Sequence, residues 1–304
     1  MNGLRSINVT TGGDPLAERK KQTFAQAEGL GLRPSQLARG QISQQFRAIL
    51  WSKLSGIFER HRDFSGYGGV YLDEPWRTIL RDAHVHHHHR LDEFPDHYDK
   101  DVAGVKNIVA NGSWSEVLGW LEFVLKHRFC PRDFPGQLDG IMANSHLAYR
   151  VFDGVVICPI GSEPERKAID QAFADVRASK LHGAREHLVK AASELSAGHF
   201  AGSVRESIHA VESVVSVLEP DGDFGKALSK LEKKANIHGG LKAGFKSIYG
   251  FTSDENGIRH PLLELPEAKV DETDALFMIG ACAAFVSYLI NKARSADLLG
   301  GKPE

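Results

Sequence analysis

Apolar residues recur along most of this chain at steps of three and four, the helical period. A first helical pattern starts near Pro15, passes through Phe24 and Ala27, and breaks at Gly29 and Gly31. After Pro34, the positions Leu37, Ile42, Phe46, Ile49, Leu50 and Leu54 predict a second helix. The stretch 63–75 is rich in Gly and Tyr and reads as a loop, whereas 82–101, crowded with His and Asp, reads as an exposed insertion. Trp114, Val117, Leu118, Leu121, Val124 and Leu125 then form one face of an amphipathic helix, with Ser113 placed to cap it.

One region departs from the helical period. Ala148–Phe152 and Val155–Pro159 are apolar, β-branched runs on either side of Asp153-Gly154, a strong hairpin signal. Directly after it, Ser162-Glu-Pro-Glu165 has a capping-box spacing with Pro in the first turn. Helices follow over about 163–197 with a break near Gly183, then 200–218, 224–235, 241–249 and 272–294. The last is apolar on both sides, which suits the centre of a bundle or a subunit interface. The expected fold is mainly α: a helical domain with a small β-hairpin over 1–161, then a helical bundle over 162–304.

With 304 residues, 42% hydrophobic and 25% charged, the chain has the profile of a soluble protein with a sizeable core. A formal charge of -2 supplies no global field for holding nucleic acid, so any such contact needs a local patch. The three cysteines form no CxxC pair and suit a reducing, cytoplasmic setting. No apolar leader opens the chain, and the longest apolar run, Ala275–Ile290, falls short of the roughly 20 residues of a membrane span. No membrane association is expected.

The candidate chemistry lies in the second half. Asn256-Gly257 forms a turn signal just ahead of adjacent Arg259 and His260. Arg grips phosphate in a fork, and His moves protons near neutral pH. The same residues also fit a bland turn in which Arg259 pairs with a carboxylate. On the helix over 200–218, Arg205, His209 and Glu212 share one flank of the apolar stripe, with Glu206 on the outer side. Glu212 lies nearest the apolar face and is the expected partner of Arg259; a solvated salt-bridge ladder is the alternative. Lys226, Lys230, Lys233, Lys234, Lys242 and Lys246 form a local basic strip, either a phosphate track or a solvated face. The run His84-Val-His-His-His-His89 has metal-binding side chains without the fixed geometry of an ordered site. With no P-loop, GxSxG, HExxH or dinucleotide fingerprint, no cofactor or metal is assigned.

Three segments, Ser203-Val-Arg-Glu-Ser-Ile-His-Ala-Val-Glu212, Tyr249-Gly-Phe-Thr-Ser-Asp-Glu-Asn-Gly-Ile-Arg-His260 and Ala284-Phe-Val-Ser-Tyr-Leu-Ile290, resemble the HEPN domain at the C-terminus of AbiJ-type abortive-infection proteins of bacteria. Phe24-Ala-Gln-Ala-Glu-Gly29, Phe46-Arg-Ala-Ile-Leu-Trp51, Trp114–Leu125 and the hairpin resemble the N-terminal domain that accompanies it. The resemblance implies a bundle that is often dimeric and an anti-phage effector acting on RNA. Active members are metal-independent endoribonucleases in which a His assists attack of the ribose 2′-OH and an Arg stabilises phosphate charge. Their Arg and His lie four to six residues apart, while His260 here is adjacent to Arg259. A non-catalytic module binding RNA, a nucleotide or a partner protein is therefore kept as the alternative. The site residues implied are Arg259, His260, Glu212, Arg205 and His209. The implied partners are RNA, along the strip near Lys242, Lys246 and Arg259, and a second copy of the chain.

Overall fold

The computed structural model describes residues 36–64, 69–220, 223–254 and 270–299. These residues hold 11 α-helices and two small antiparallel ladders, so the chain is mainly α.

In the N-terminal half, α1 spans Gln44–Arg60 and buries Phe46, Leu50, Leu54, Ile57 and Phe58. The sequence pattern places this helix earlier, but Ser43 ends the lead-in by accepting the backbone N–H of Phe46 at 3.1 Å. The stretch read as a loop contains a short ladder, β1 (Arg62–Asp63) against β2 (Tyr71–Leu72). Helix α2 (Trp76–Asp82) follows and continues into a π-type turn over Ala83–His87.

The reading of 82–101 as an exposed insertion is corrected here. Ala83, His84, Tyr98 and Asp101 are buried, and α3 (Tyr98–Asn111) begins inside the segment. His84 Nε2 bonds the Asp92 carbonyl oxygen at 2.8 Å, and its ring meets Phe94 edge-on. His87 packs against Phe123. The tract is mixed: His84 and His87 pack inward as aromatic filler, while His86, His89 and residues 90–93 stay exposed. Helix α4 (Trp114–Lys126) carries the complete capping box of Ser113 and Glu116. Helix α5 (Phe134–Asn144), which the sequence pattern does not announce, buries Phe134, Leu138, Ile141 and Met142.

The hairpin forms as expected, with β3 (Tyr149–Phe152) paired to β4 (Val156–Pro159). Asp153 and Gly154 both take positive φ, 53° and 76°, as a two-residue turn of this hand requires. Both strands are buried throughout, because each face of the ribbon enters a different core. Tyr149, Val151 and Ile157 join the N-terminal core, while Phe152, Val156 and Cys158 join the bundle core. Side chains satisfy the ribbon's free edges: Val151 N–H donates to Asp139 at 3.0 Å, and the Ser196 hydroxyl donates to the Ile157 carbonyl at 2.6 Å. Asp153 at the turn pairs with Arg177 at 3.0 Å and Arg185 at 2.5 Å.

Those arginines come from the first two bundle helices, α6 (Glu163–Ala178) and α7 (His182–Ala197). Ser162 caps α6 through the Glu165 backbone N–H at 3.3 Å. The break expected near Gly183 in the stretch 163–197 falls at 179–181, with Lys180 at a positive φ of 56°. Gly183 lies in the first turn of α7, where a Cβ would approach Ser213 Oγ to 2.8 Å. That contact seats α7 tightly on α8 (Phe200–Leu218). Helices α9 (Phe224–Lys234) and α10 (Gly239–Asp254) flank α8. The last helix, α11 (Glu272–Ser295), packs between α6 and α8. Its length and composition would suffice to cross a membrane, yet Met278, Ile279, Cys282, Val286, Leu289 and Ile290 lie in the bundle core. Arg294 clips its end to α6 by donating to Asp175 at 3.0 Å and Ser179 at 2.9 Å.

Candidate functional site

Helix α8 has two lives. Val204, Ile208, Val211 and Val215 repeat at helical spacing and fill the core. Glu206, His209 and Glu212, each three residues after the last, run along the edge of that stripe. They are neither in the core nor free in solvent: their side chains are 16%, 30% and 23% exposed.

The neighbouring helices complete the group. From α7, His187 brings Nδ1 to 2.7 Å of Glu206 Oε2. Its ring stands edge-on to that of His209, with centroids 5.2 Å apart. Glu206 therefore sits between two imidazoles, its Oε1 4.0 Å from His209 Nδ1. The other ring nitrogen of His209, Nε2, points to Glu212 Oε2 at 3.8 Å. From α10, the Tyr249 hydroxyl donates to Glu212 Oε1 at 2.9 Å. Tyr249 is itself fixed by stacking on Phe224 at 4.3 Å. The result is a polar seam across three helices, running His187, Glu206, His209, Glu212, Tyr249.

Two of the residues singled out by sequence, His209 and Glu212, are thus brought together. Arg205 is half-buried on the same helix, one residue before Glu206. Arg259 and His260 lie outside the described residues, and so does the turn expected at Gly257. The segment Tyr249–Asp254, read as the approach to that turn, is the end of α10. Glu206, assigned from sequence to the outer face, is more enclosed than Glu212, because α7 closes over it.

Sequence reasoning missed His187 and Tyr249. Each sits one residue from a core-facing apolar position on its own helix, the buried Leu188 and the half-buried Ile248. Only helix pairing aims them at α8.

Much of the basic strip is shared with acids. Lys230 and Lys234 both hold Glu219, at 3.2 and 2.5 Å; Lys226 pairs with Asp223 at 3.4 Å, and Lys242 pairs with Glu232. The Lys234 hydrogen bond, then that of Lys230, holds the Glu219 carboxyl below its usual range. Elsewhere, burial pushes the Asp101 carboxyl up to about 6, beneath the turn that carries His84 and His88.

Chemically, the seam holds two imidazoles and two carboxylates in a row, with His187 and Glu206 at proton-transfer distance and His209 within ion-pair range of both carboxylates. One ring nitrogen each of His187 and His209 and a Glu206 oxygen also form a compact nitrogen and oxygen donor set, with ligand atoms within 4.8 Å of each other.

Comparison with known proteins returned no curated protein and no solved structure that matches. The family of AbiJ N-terminal domain 4 matches residues 23–175, from upstream of α1 to near the end of α6 and including the hairpin. With half of its length matched, the chain belongs to the AbiJ N-terminal domain 4 family, and this membership points to a role related to abortive infection.

Proposed function

We propose that this chain is an abortive-infection effector in which the AbiJ-type domain is followed by an HEPN-like bundle that acts on RNA in the cytoplasm. The observation that supports this reading best is the seam on α8, where a half-buried His209 stands between Glu206 and Glu212. In the proposed reaction an imidazole takes the proton of a ribose 2′-OH. The 2′ oxygen then attacks the adjacent phosphorus. A bond to the 5′ oxygen breaks, and a protonated group delivers a proton to that leaving oxygen. The products are a 2′,3′-cyclic phosphate and a 5′-hydroxyl. Arg259 and Arg205 stabilise charge on the phosphate oxygens, His260 or His209 moves the proton, and Glu212 orients its partner. A second copy of the chain docks through the α11 face around Phe277, which is 61% exposed.

The test is sequencing of RNA ends after induced expression, beside an Arg259→Ala/His260→Ala variant and a His209→Ala variant. New cyclic-phosphate ends, formed in chelator by the wild type and lost in the variants, are expected. Wild-type protein that neither slows growth nor cuts RNA in chelator would overturn catalysis. Because Lys226, Lys230, Lys234 and Lys242 are ion-paired with acids, which weighs against a phosphate track, a second reading stands beside the first: a non-catalytic module of the same fold that binds RNA, a nucleotide or a partner protein.

A further inference from the structure

We propose that His187, Glu206 and His209 form a divalent transition-metal site, best fitted to Zn2+, that clips α7 to α8. The sequence alone assigns no metal here; the site shares His209 with the reaction proposed above, so with metal bound the proton transfer falls to His260, and the test below reads ion binding alone.

The donor set comes first. Two imidazoles and one carboxylate are the ligand types of three-coordinate protein sites that keep a further position for water or substrate. At metal–ligand distances of about 2.0–2.1 Å, ligand atoms in a tetrahedral shell lie roughly 3.3 Å apart. The Glu206 carboxylate reaches both rings, Oε2 lying 2.7 Å from His187 Nδ1 and Oε1 4.0 Å from His209 Nδ1, and one ligand atom from each of the three residues lies within 4.8 Å of the others. Small torsional shifts of the three side chains would bring one donor atom from each to that tetrahedral spacing. Glu206 and His209, one helical turn apart, share a face, and His187 approaches from the opposing helix.

A second observation concerns the ring nitrogens of His209. Nδ1 faces Glu206, while Nε2 faces Glu212 at 3.8 Å, and Glu212 is held in turn by the Tyr249 hydroxyl at 2.9 Å. A histidine that binds a metal through one nitrogen usually gives its other N–H to a carboxylate, which fixes its tautomer and orientation. The chain His209, Glu212, Tyr249 has that form. The scaffold is also stiff. Ala184, Leu188 and Ala191 on α7 and Val204, Ile208 and Val211 on α8 are fully packed around the site. Gly183 removes the side chain that would otherwise hold the two helices apart.

The exposed histidines of the 84–89 tract will also take up Zn2+, and the experiment must separate the two. Full-length protein, stripped with chelator and dialysed, is titrated with Zn2+ against a chromophoric Zn2+ indicator, without RNA. A His86→Ala/His88→Ala/His89→Ala variant should keep one tight site per chain. In that background Glu206→Gln, which preserves side-chain shape and the capacity to bond His187, should weaken the site by about 100-fold or more. Tyr249→Phe, acting as a positioning change, should weaken it by about 10-fold. Saturating Zn2+ should raise Tm in the tract variant and not in Glu206→Gln. Loss of all tight binding in the tract variant, or equal affinity with Glu206→Gln, would overturn the site and leave a plain His187–Glu206 hydrogen bond. If Glu206→Gln fails to fold by circular dichroism, Tyr249→Phe decides: unchanged affinity counts against the proposal. Because the readout is ion binding, failure of the RNA reaction leaves this result standing.

Discussion

The N-terminal core is rich in large rings, whereas the bundle core sets many small residues among its Leu, Ile and Val side chains. Trp76 sits edge-on between Phe58 at 5.3 Å and Phe134 at 5.6 Å, with Phe46, Trp120 and Tyr149 also buried nearby. In the bundle, Ala172, Ala184, Ala191, Ala192, Ala210 and Ala283 are inaccessible, as are Ser203 and Ser207. Rings bridge wide and uneven gaps, so the first half can be assembled from short helices, a π-type turn and side chains that satisfy stray carbonyls. Arg47 shows this, donating to Val109 O at 2.6 Å and Gly112 O at 2.8 Å. Small residues instead let long helices approach closely and stay regular. Regularity is what lines up Glu206, His209 and Glu212 along one edge. The candidate site thus belongs to the half whose geometry repeats.

The sharpest way to break this contrast is to remove a ring. Trp76→Ala should cost about 3–5 kcal/mol, because neighbours anchored on three elements cannot collapse into the space. Urea denaturation measures it, and a loss near that of an ordinary surface change would show that the aromatic core is loose. The bundle should fail in the opposite sense. Ala191→Leu should destabilise by about 1–3 kcal/mol through overpacking between long helices; a neutral melting curve would reveal slack.

A smaller effect comes from charge in the N-terminal half. Burial raises the Asp101 carboxyl from 3.8 to about 6, so the folded state holds that proton more tightly than the unfolded chain does. Stability therefore falls as pH rises from the unfolded value toward the folded one, and stays lowered above it. Asp101→Asn should raise stability at pH 7.5 by about 1–2 kcal/mol, allowing for partial solvent screening. The gain should vanish in thermal melts below 3.8, the ordinary value for the group. Smallest of these is the capping box before α4: Ser113→Ala should cost about 1 kcal/mol in the same denaturation assay.

Where local signals are strong, residue patterns and structure agree. The Asp153-Gly154 hairpin, the Ser113 cap, α8 and α11 were all readable, because each rests on turn chemistry or on a sustained helical stripe. The helices α2, α3 and α5 were not. Helix α2 has only seven residues; α5 contains Pro135, Gly136 and Gly140, poor helix formers that tertiary packing overrides. Helix α3 buries Tyr98 and Asp101 beside a few valines, so its inner face is not marked by hydrophobicity alone.

Taken alone, the sequence determined that this chain is mainly α, where its hairpin turns, and that His209 and Glu212 share an edge of one helix. Those properties depend on neighbours a few residues away, and backbone periodicity carries them. Only tertiary structure decided that the hairpin's two faces serve two cores, that His84 of the His tract is buried, and that His187 and Tyr249 converge on Glu206 and Glu212. Such meetings depend on how helices dock, and side-chain volume distributed over the whole bundle sets that.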